Sequence, residues 1–344
     1  MEIKQIKIYQ LVDSRSSGGI ESHILELSSW LISHQLDVEI IFLQDHGVHP
    51  LKQQLDSANV PWRIKPSWPK LMKDIKANQG LLATHGYKAG IMGRVMARLY
   101  QVPVVSTYHS GDLGKGKLYF YSKLDDLTAG MANQVFCVSE EIQSRLPVKS
   151  NLIANFTQLA TPPKSLGSKI AFVGRLSEEK GPDNFVQIAK EALSKTNTKL
   201  SHEQICLYGQ GPMQEELISH SSKDWFAGYS KMSDHWQDIG LLCITSRHEG
   251  LPLVALEAMA HGIPVMSFNV GALAQLISEG EDGWIIENQN QKDFVDKLTE
   301  WGQFNDEQRW KFSENTRHKI QTQFSSDTLI PHILSIYKQA IQTH

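Results

Sequence analysis

Cysteine is scarce in this sequence: Cys137, Cys206 and Cys243 are the only three in 344 residues. They stand far apart in apolar runs such as Val135 to Val138 and Leu241 to Ile244. That is the setting of buried thiols, so neither a disulfide framework nor a zinc site is expected. Long apolar runs are missing too. Nowhere does the chain hold the roughly 18 consecutive apolar residues of a membrane-spanning helix. Met1 to Val12 alternates charged with apolar residues, where a signal peptide would be continuously apolar. A cytoplasmic protein in a reducing compartment is therefore expected. Low-complexity segments and short repeats are absent as well, which sets aside fibrous and solenoid architectures. No charge of one sign dominates: 34 Lys+Arg stand against 37 Asp+Glu, for a formal net charge of -3. With no nucleic-acid-binding motif either, no nucleic acid partner is expected.

What is present points to an α/β protein of two domains, because 344 residues exceed what one hydrophobic core usually supports. Apolar residues recur at about every second position from Ile3 to Val12. A loop containing Ser14, Ser16, Ser17, Gly18 and Gly19 follows, and Ile24, Leu27 and Leu31 then take helical spacing. Further strands are expected at 38–43, 80–83, 102–107 and 134–138, with helices between them, the pattern of a parallel sheet with right-handed crossovers. The polar stretch 157–167, with Pro162, Pro163 and Gly167, reads as a linker. Beyond it the alternation restarts, with strands expected at 169–173, 204–208, 225–227, 239–245, 264–268 and 283–286. The expected organisation is two Rossmann-like domains, 1–160 and 161–325, and a helix over 326–344 packing back on the first. Ligands of such sheets bind beyond the carboxyl ends of the strands. The charge is also uneven, since residues 1–165 hold 18 Lys+Arg against 14 Asp+Glu, and a basic half suits an anionic partner surface.

Two segments carry the chemistry. Glu249-Gly-Leu-Pro-Leu-Val-Ala-Leu-Glu257 follows an apolar strand and opens a helix. Its spacing places Pro252 at the first helical position, leaves the N–H groups of Leu253 and Val254 open at the positive helix end for a phosphate, and sets one carboxylate on each side of that seat. Glu257, a turn into the helix, can accept from ribose hydroxyls, and Glu249 can face a sugar. Val173-Gly-Arg175-Leu-Ser-Glu-Glu-Lys180-Gly181 lies at a strand-to-helix loop, where a guanidinium and an ammonium can neutralise a diphosphate. The first loop, Ser14 to Gly19, lacks the G-x-G-x-x-G pattern of dinucleotide enzymes.

Taken in order, these segments resemble the GT-B fold glycosyltransferases of family 4, which are retaining enzymes. The similarity covers nearly the whole chain. It runs through Gly18-Gly19-Ile20-Glu21, Thr84-His85-Gly86, Ser106 to His109, Val138-Ser139, Gly174 to Gly181, Tyr208 to Pro212, Phe226 to Gly228, Ser246 to Leu253, and Gly283. Departures from the family pattern fall at Asn155-Phe156, Gln210 and Gln275. The resemblance implies transfer of a hexosyl-type sugar from a nucleotide-diphosphate donor, UDP or GDP, to a saccharide or lipid-linked saccharide acceptor in cell-surface polysaccharide or glycolipid synthesis. It implies no metal and no other cofactor. Arg175 and Lys180 match the family's diphosphate-binding pair, Glu257 its ribose ligand, Glu249 its carboxylate near the transferred sugar, Gly18 and Gly19 the glycine loop near the donor phosphates, and His109 a histidine beside the sugar. Retention by attack on the same face is expected rather than through a covalent intermediate on Glu249.

For the acceptor side, Lys70, Lys73 and Lys76 stand beside Leu71, Met72 and Ile75 at helical spacing, and Lys117 precedes Tyr119-Phe120-Tyr121. Two readings stay open: peripheral docking on an anionic inner membrane, or a solvated helix face with an acceptor loop. Other functions on this fold are a non-catalytic sugar-nucleotide-binding module and a sugar-nucleotide epimerase.

Overall fold

Parallel strands buried on both faces alternate their side chains between two apolar layers, and the first sheet does so. In the computed structural model, which describes residues 6–15, 18–109 and 116–343 except the side chains of Lys117 and Leu118, Ile8 and Val12 join one core cluster, while Tyr9 and Leu11 join the other. The strands of this first unit are β1 (Ile8–Val12), β2 (Val38–Phe42), β3 (Trp62–Ile64), β4 (Leu81–His85), β5 (Val104–Tyr108), β6 (Gln134–Cys137) and β7 (Asn151–Leu152), all parallel, in the order β3-β2-β1-β4-β5-β6-β7. The second unit holds β8 (Lys169–Val173), β9 (Ile205–Tyr208), β10 (Phe226–Gly228), β11 (Ile239–Ile244), β12 (Val265–Phe268) and β13 (Gly283–Ile286), in the order β10-β9-β8-β11-β12-β13.

In each sheet the chain winds outward in one direction and then returns to build the other half. The topological switch points fall between β1 and β4, where Val12 pairs with His85, and between β8 and β11. Loops after adjacent strands diverge there and leave a crevice at the carboxyl ends.

The first unit comprises Met1–Phe156 with Ser326–His344, and the second comprises Thr157–Ser325. Residues 157–160, read from the sequence as the end of the first domain, belong to the second unit. There the Thr157 amide donates to the Phe324 carbonyl at 3.1 Å. The helix Ser326–Gln342 buries Ile330, Ile333, Leu334, Ile336, Tyr337 and Ala340 in the first unit's core. Its entry is fixed by the Trp30 Nε1 donor, 2.6 Å from Asp327 Oδ1. Two edge strands, β3 and β7, runs of three and two residues, are not among the expected strands. The stretch expected to start β1 at Ile3 reaches into residues 1–5, outside the described residues.

Ile330 is fully buried, so Ile330→Ala should cost about 2–4 kcal/mol by removing packed methylenes. Urea unfolding measures this; a loss below about 1 kcal/mol would show that the terminal helix is not integral to the first core.

Candidate functional site

The second unit gathers its charged groups at the switch point. After β8 the loop turns Arg175 to solvent and passes through one short helical turn, Glu178–Lys180, into Gly181. Gly181 has φ +63, and a Cβ there would lie 2.2 Å from the Thr245 carbonyl oxygen. Only glycine lets this loop close onto the end of β11. Thr245 Oγ1 donates to the Gly181 carbonyl at 2.7 Å, and Asn184 Nδ2 donates to the Thr245 carbonyl at 3.2 Å. Arg247, which the sequence reading passed over, donates to Asp183 Oδ1 at 2.9 Å and to the Glu178 carbonyl at 2.7 Å. Partial burial works against the Asp183 charge, but the bonds from Arg247 outweigh it and hold this carboxyl below the ordinary carboxylate range. The loop after β9 is drawn in too. Gly209, at φ +144, would place a Cβ 1.8 Å from the Gly174 carbonyl oxygen, and the Leu176 amide donates to the Gln210 carbonyl at 3.0 Å.

This lacing brings Lys180 onto Glu249. The ammonium lies 2.8 Å from both carboxylate oxygens, and Ser246 Oγ donates to Oε1 at 2.6 Å. Glu249 is 8% exposed and Lys180 31%, so the ammonium keeps its third N–H for a ligand. From the sequence Lys180 is expected at the diphosphate and Glu249 near the transferred sugar; in the structure the two form an ion pair. A correction concerns Pro252. It is the residue before the helix, extended at φ -72 and ψ 127, and the helix runs Leu253–Ala260. A proline's fixed φ suits that extended position equally well. Leu253 and Val254 are thus the first helical residues, with N–H groups that no carbonyl of their own helix can accept. Glu257 is half-buried one turn on.

In the first unit Gly18 precedes the helix Gly19–Ser33 at φ -171, an extended conformation open to any residue. A Cβ on Gly19 would meet nothing within 4 Å. What glycine supplies here is room above a helix N-terminus rather than relief of strain. Ser16 and Ser17 lie outside the described residues. Next to this loop Ser14 Oγ donates to Glu21 Oε1 at 2.6 Å, and Asp13 is held by His46 Nε2 at 2.8 Å and Lys88 Nζ at 2.9 Å.

His109 follows β5 and is joined by two histidines not singled out from the sequence, although His85 at a strand's carboxyl end and His23 one turn into the glycine-loop helix were both signals for it. His85 Nδ1 lies 3.0 Å from His109 Nε2, and the His23 ring centroid is 4.8 Å from that of His109. Burial pushes the His23 imidazole down to about 4. It also holds His85 and His109 well below the ordinary histidine range, with the neighbouring rings adding to the effect, so all three are neutral near pH 7. His85 Nε2 is buried with no hydrogen-bond partner among the described residues. Which of the two rings donates in the His85–His109 bond depends on their tautomers.

Of the two readings left open for the lysines, the helix matches the solvated face. Lys70, Lys73 and Lys76 are exposed on the helix Trp68–Ala77, but Leu71, Met72 and Ile75 are fully buried in the first unit's core, so this helix presents charge without an apolar face. Exposed apolar surface lies instead on the helix Lys117–Thr128, at Phe120 (66%) and Leu127 (77%) with Tyr119 and Tyr121. The Lys117 side chain is outside the described residues. No helix among the described residues is long and apolar enough to cross a membrane.

A family model described as "Glycosyl transferases group 1" matches residues 161–319, and one described as "Glycosyltransferase Family 4" matches residues 17–148. This chain belongs to the group 1, family 4 glycosyltransferases. The glycosyltransferase is similar to the Escherichia coli UDP-Gal:alpha-D-GlcNAc-diphosphoundecaprenol alpha-1,3-galactosyltransferase, 26% identical over 303 residues that cover 78% of this chain and 77% of that one. It is also similar to an uncharacterized glycosyltransferase of Methanocaldococcus jannaschii, 22% identical with 95% and 96% covered. Among solved structures, Anabaena Alr3699/HepE in complex with UDP superposes with a TM-score of 0.76 at 18% identity, covering 97% of this chain and 100% of that one. TarM superposes at 0.75 and 13%, covering 96% and 98%. The shared architecture is the GT-B fold.

The Arg247–Asp183 pair sets a pH dependence for the glycosyltransferase. A carboxyl whose pKa is depressed by folding contributes stability above its unfolded value of about 4 and loses it as pH falls further. Asp183→Asn should therefore lower stability at pH 7 and flatten the loss on acidification from pH 5 to pH 3, read from melting temperatures. An unchanged acid limb would show that the pair does not clamp these loops.

Proposed function

We propose that this enzyme is a retaining hexosyltransferase that takes its sugar from a UDP-sugar and delivers it to a saccharide or lipid-linked saccharide acceptor in cell-surface polysaccharide or glycolipid synthesis. The observation that carries this reading is the convergence, at one switch point, of exposed Arg175, the Lys180–Glu249 pair and the open N-terminus of Leu253–Ala260. UDP is favoured over GDP because the named ligands of the relatives are UDP and UDP-galactose.

Transfer breaks the anomeric C–O bond and leaves charge on the diphosphate. Arg175, the third N–H of Lys180 and the Leu253 and Val254 amides serve that charge, while Glu257 accepts from the ribose. Tethering by Glu249 fixes the Lys180 charge in advance, so little reorganisation accompanies the reaction. Both Glu249 oxygens are engaged, which makes this carboxylate a poor nucleophile and favours same-face attack with the leaving phosphate as base. His109, a neutral imidazole, hydrogen-bonds a sugar hydroxyl. No step calls for a metal ion. For the acceptor, the reading includes peripheral contact with an anionic inner membrane from the cytoplasmic side through Phe120, Tyr121 and Leu127, with the lysines at 70, 73 and 76 adding attraction.

Thermal stabilisation by UDP-, GDP-, ADP- and dTDP-sugars tests the donor. A shift for UDP-sugars alone, lost in Arg175→Ala and Glu257→Ala, is expected; no shift with any donor would point to a non-catalytic module. Lys180→Met should lower kcat/KM by roughly 10²–10³-fold, and proton NMR of the product should show the donor's anomeric configuration kept. For the membrane contact, Phe120→Glu should reduce cosedimentation with phosphatidylglycerol vesicles. Equal binding by variant and wild type would sink that part of the reading.

A further inference from the structure

We propose that His23, His85 and His109 form a binding site for a divalent transition-metal ion, with Zn²⁺ as the probe, and that an ion held there withdraws His109 from the donor sugar. The second clause rests on the donor role proposed above; the first does not.

Geometry is the main argument. One ligand nitrogen from each ring lies within 4.8 Å of the others, and the ring centroids are 4.8, 5.3 and 5.8 Å apart. Three imidazoles radiating from a tetrahedral ion at Zn–N of about 2.0–2.1 Å place their centroids roughly 5 Å apart. The backbone thus already sets the rings at the spacing an ion requires, and what remains is rotation of the rings.

A second observation is chemical. His85 Nε2 is a buried nitrogen with no partner among the described residues, and a bound ion is one way to satisfy such an atom. An all-imidazole set suits Zn²⁺, Cu²⁺ or Ni²⁺ and not Mg²⁺ or Ca²⁺. His23 and His85 are buried while His109 is part-exposed. Phe156, 4.9 Å from the His23 ring, adds a wall that restrains that ring.

Calorimetric titration of the chelator-stripped full chain with Zn²⁺ is the first test. One ion per chain is expected, with affinity reduced at least 10-fold in His23→Gln and in His85→Asn and unchanged in His318→Gln, which alters an exposed histidine outside the cluster. Because a buried variant can misfold, X-ray absorption at the zinc edge of the wild-type protein gives an independent reading, with three imidazole nitrogens expected. Sugar transfer should be inhibited by Zn²⁺, be restored by chelator, and need at least 10-fold more Zn²⁺ for inhibition in His23→Gln. Full Zn²⁺ affinity in both cluster variants, or fewer than three imidazoles at the ion, overturns the site. Zinc held by three imidazoles in a protein that answers to no sugar nucleotide supports the site and counts against the donor reading instead.

Discussion

A parallel strand buried on both faces can release polar chemistry only at its ends, and this constraint organises everything functional in the chain. The two sheets give their faces to helices, so each charged or polar group outside the apolar layers must gather where strands stop. At the switch points between β1 and β4 and between β8 and β11 adjacent loops part, and it is there that the glycine loop, the histidine cluster, Arg175 and the Lys180–Glu249 pair are found.

Within the second unit the consequence is preorganisation. The loops after β8, β9 and β11 are drawn together by backbone approaches that tolerate no side chain at Gly181 or Gly209, and by Arg247 bound to both Asp183 and the Glu178 carbonyl. The Lys180 ammonium then stands fixed against a nearly buried carboxylate. Holding a cation in place before an anionic leaving group arrives makes it worth more in the transition state than a mobile one. The first unit uses a different device. His85 and His109 are joined ring to ring at 3.0 Å, and burial disfavours the charged form of both. The same closeness that orients one histidine makes the three together a metal-competent set.

Several features were legible because they repeat. Strand and helix alternation, the linker with Pro162 and Pro163, and the ordered motifs from Gly18 to Gly283 fixed the fold class and the family resemblance, and they singled out Arg175, Lys180, Glu249, Glu257 and His109. The short edge strands β3 and β7 were not among the expected strands, and the lysine-bearing helix stayed open to two readings because a buried stripe looks the same in sequence whether it meets a core or a lipid surface.

The sequence by itself determined the α/β class and the positions of the charged motifs, which follow from local spacing and composition, and its ordered motifs carried the resemblance to the family. Only the tertiary structure decided that Lys180 binds Glu249, that Arg247 secures Asp183, that Pro252 precedes its helix, that residues 326–342 complete the first core, and that His23 and His85 meet His109. The two members of the Lys180–Glu249 pair are 69 residues apart, and contacts across such separations are set by how loops pack at strand ends, which no local periodicity records.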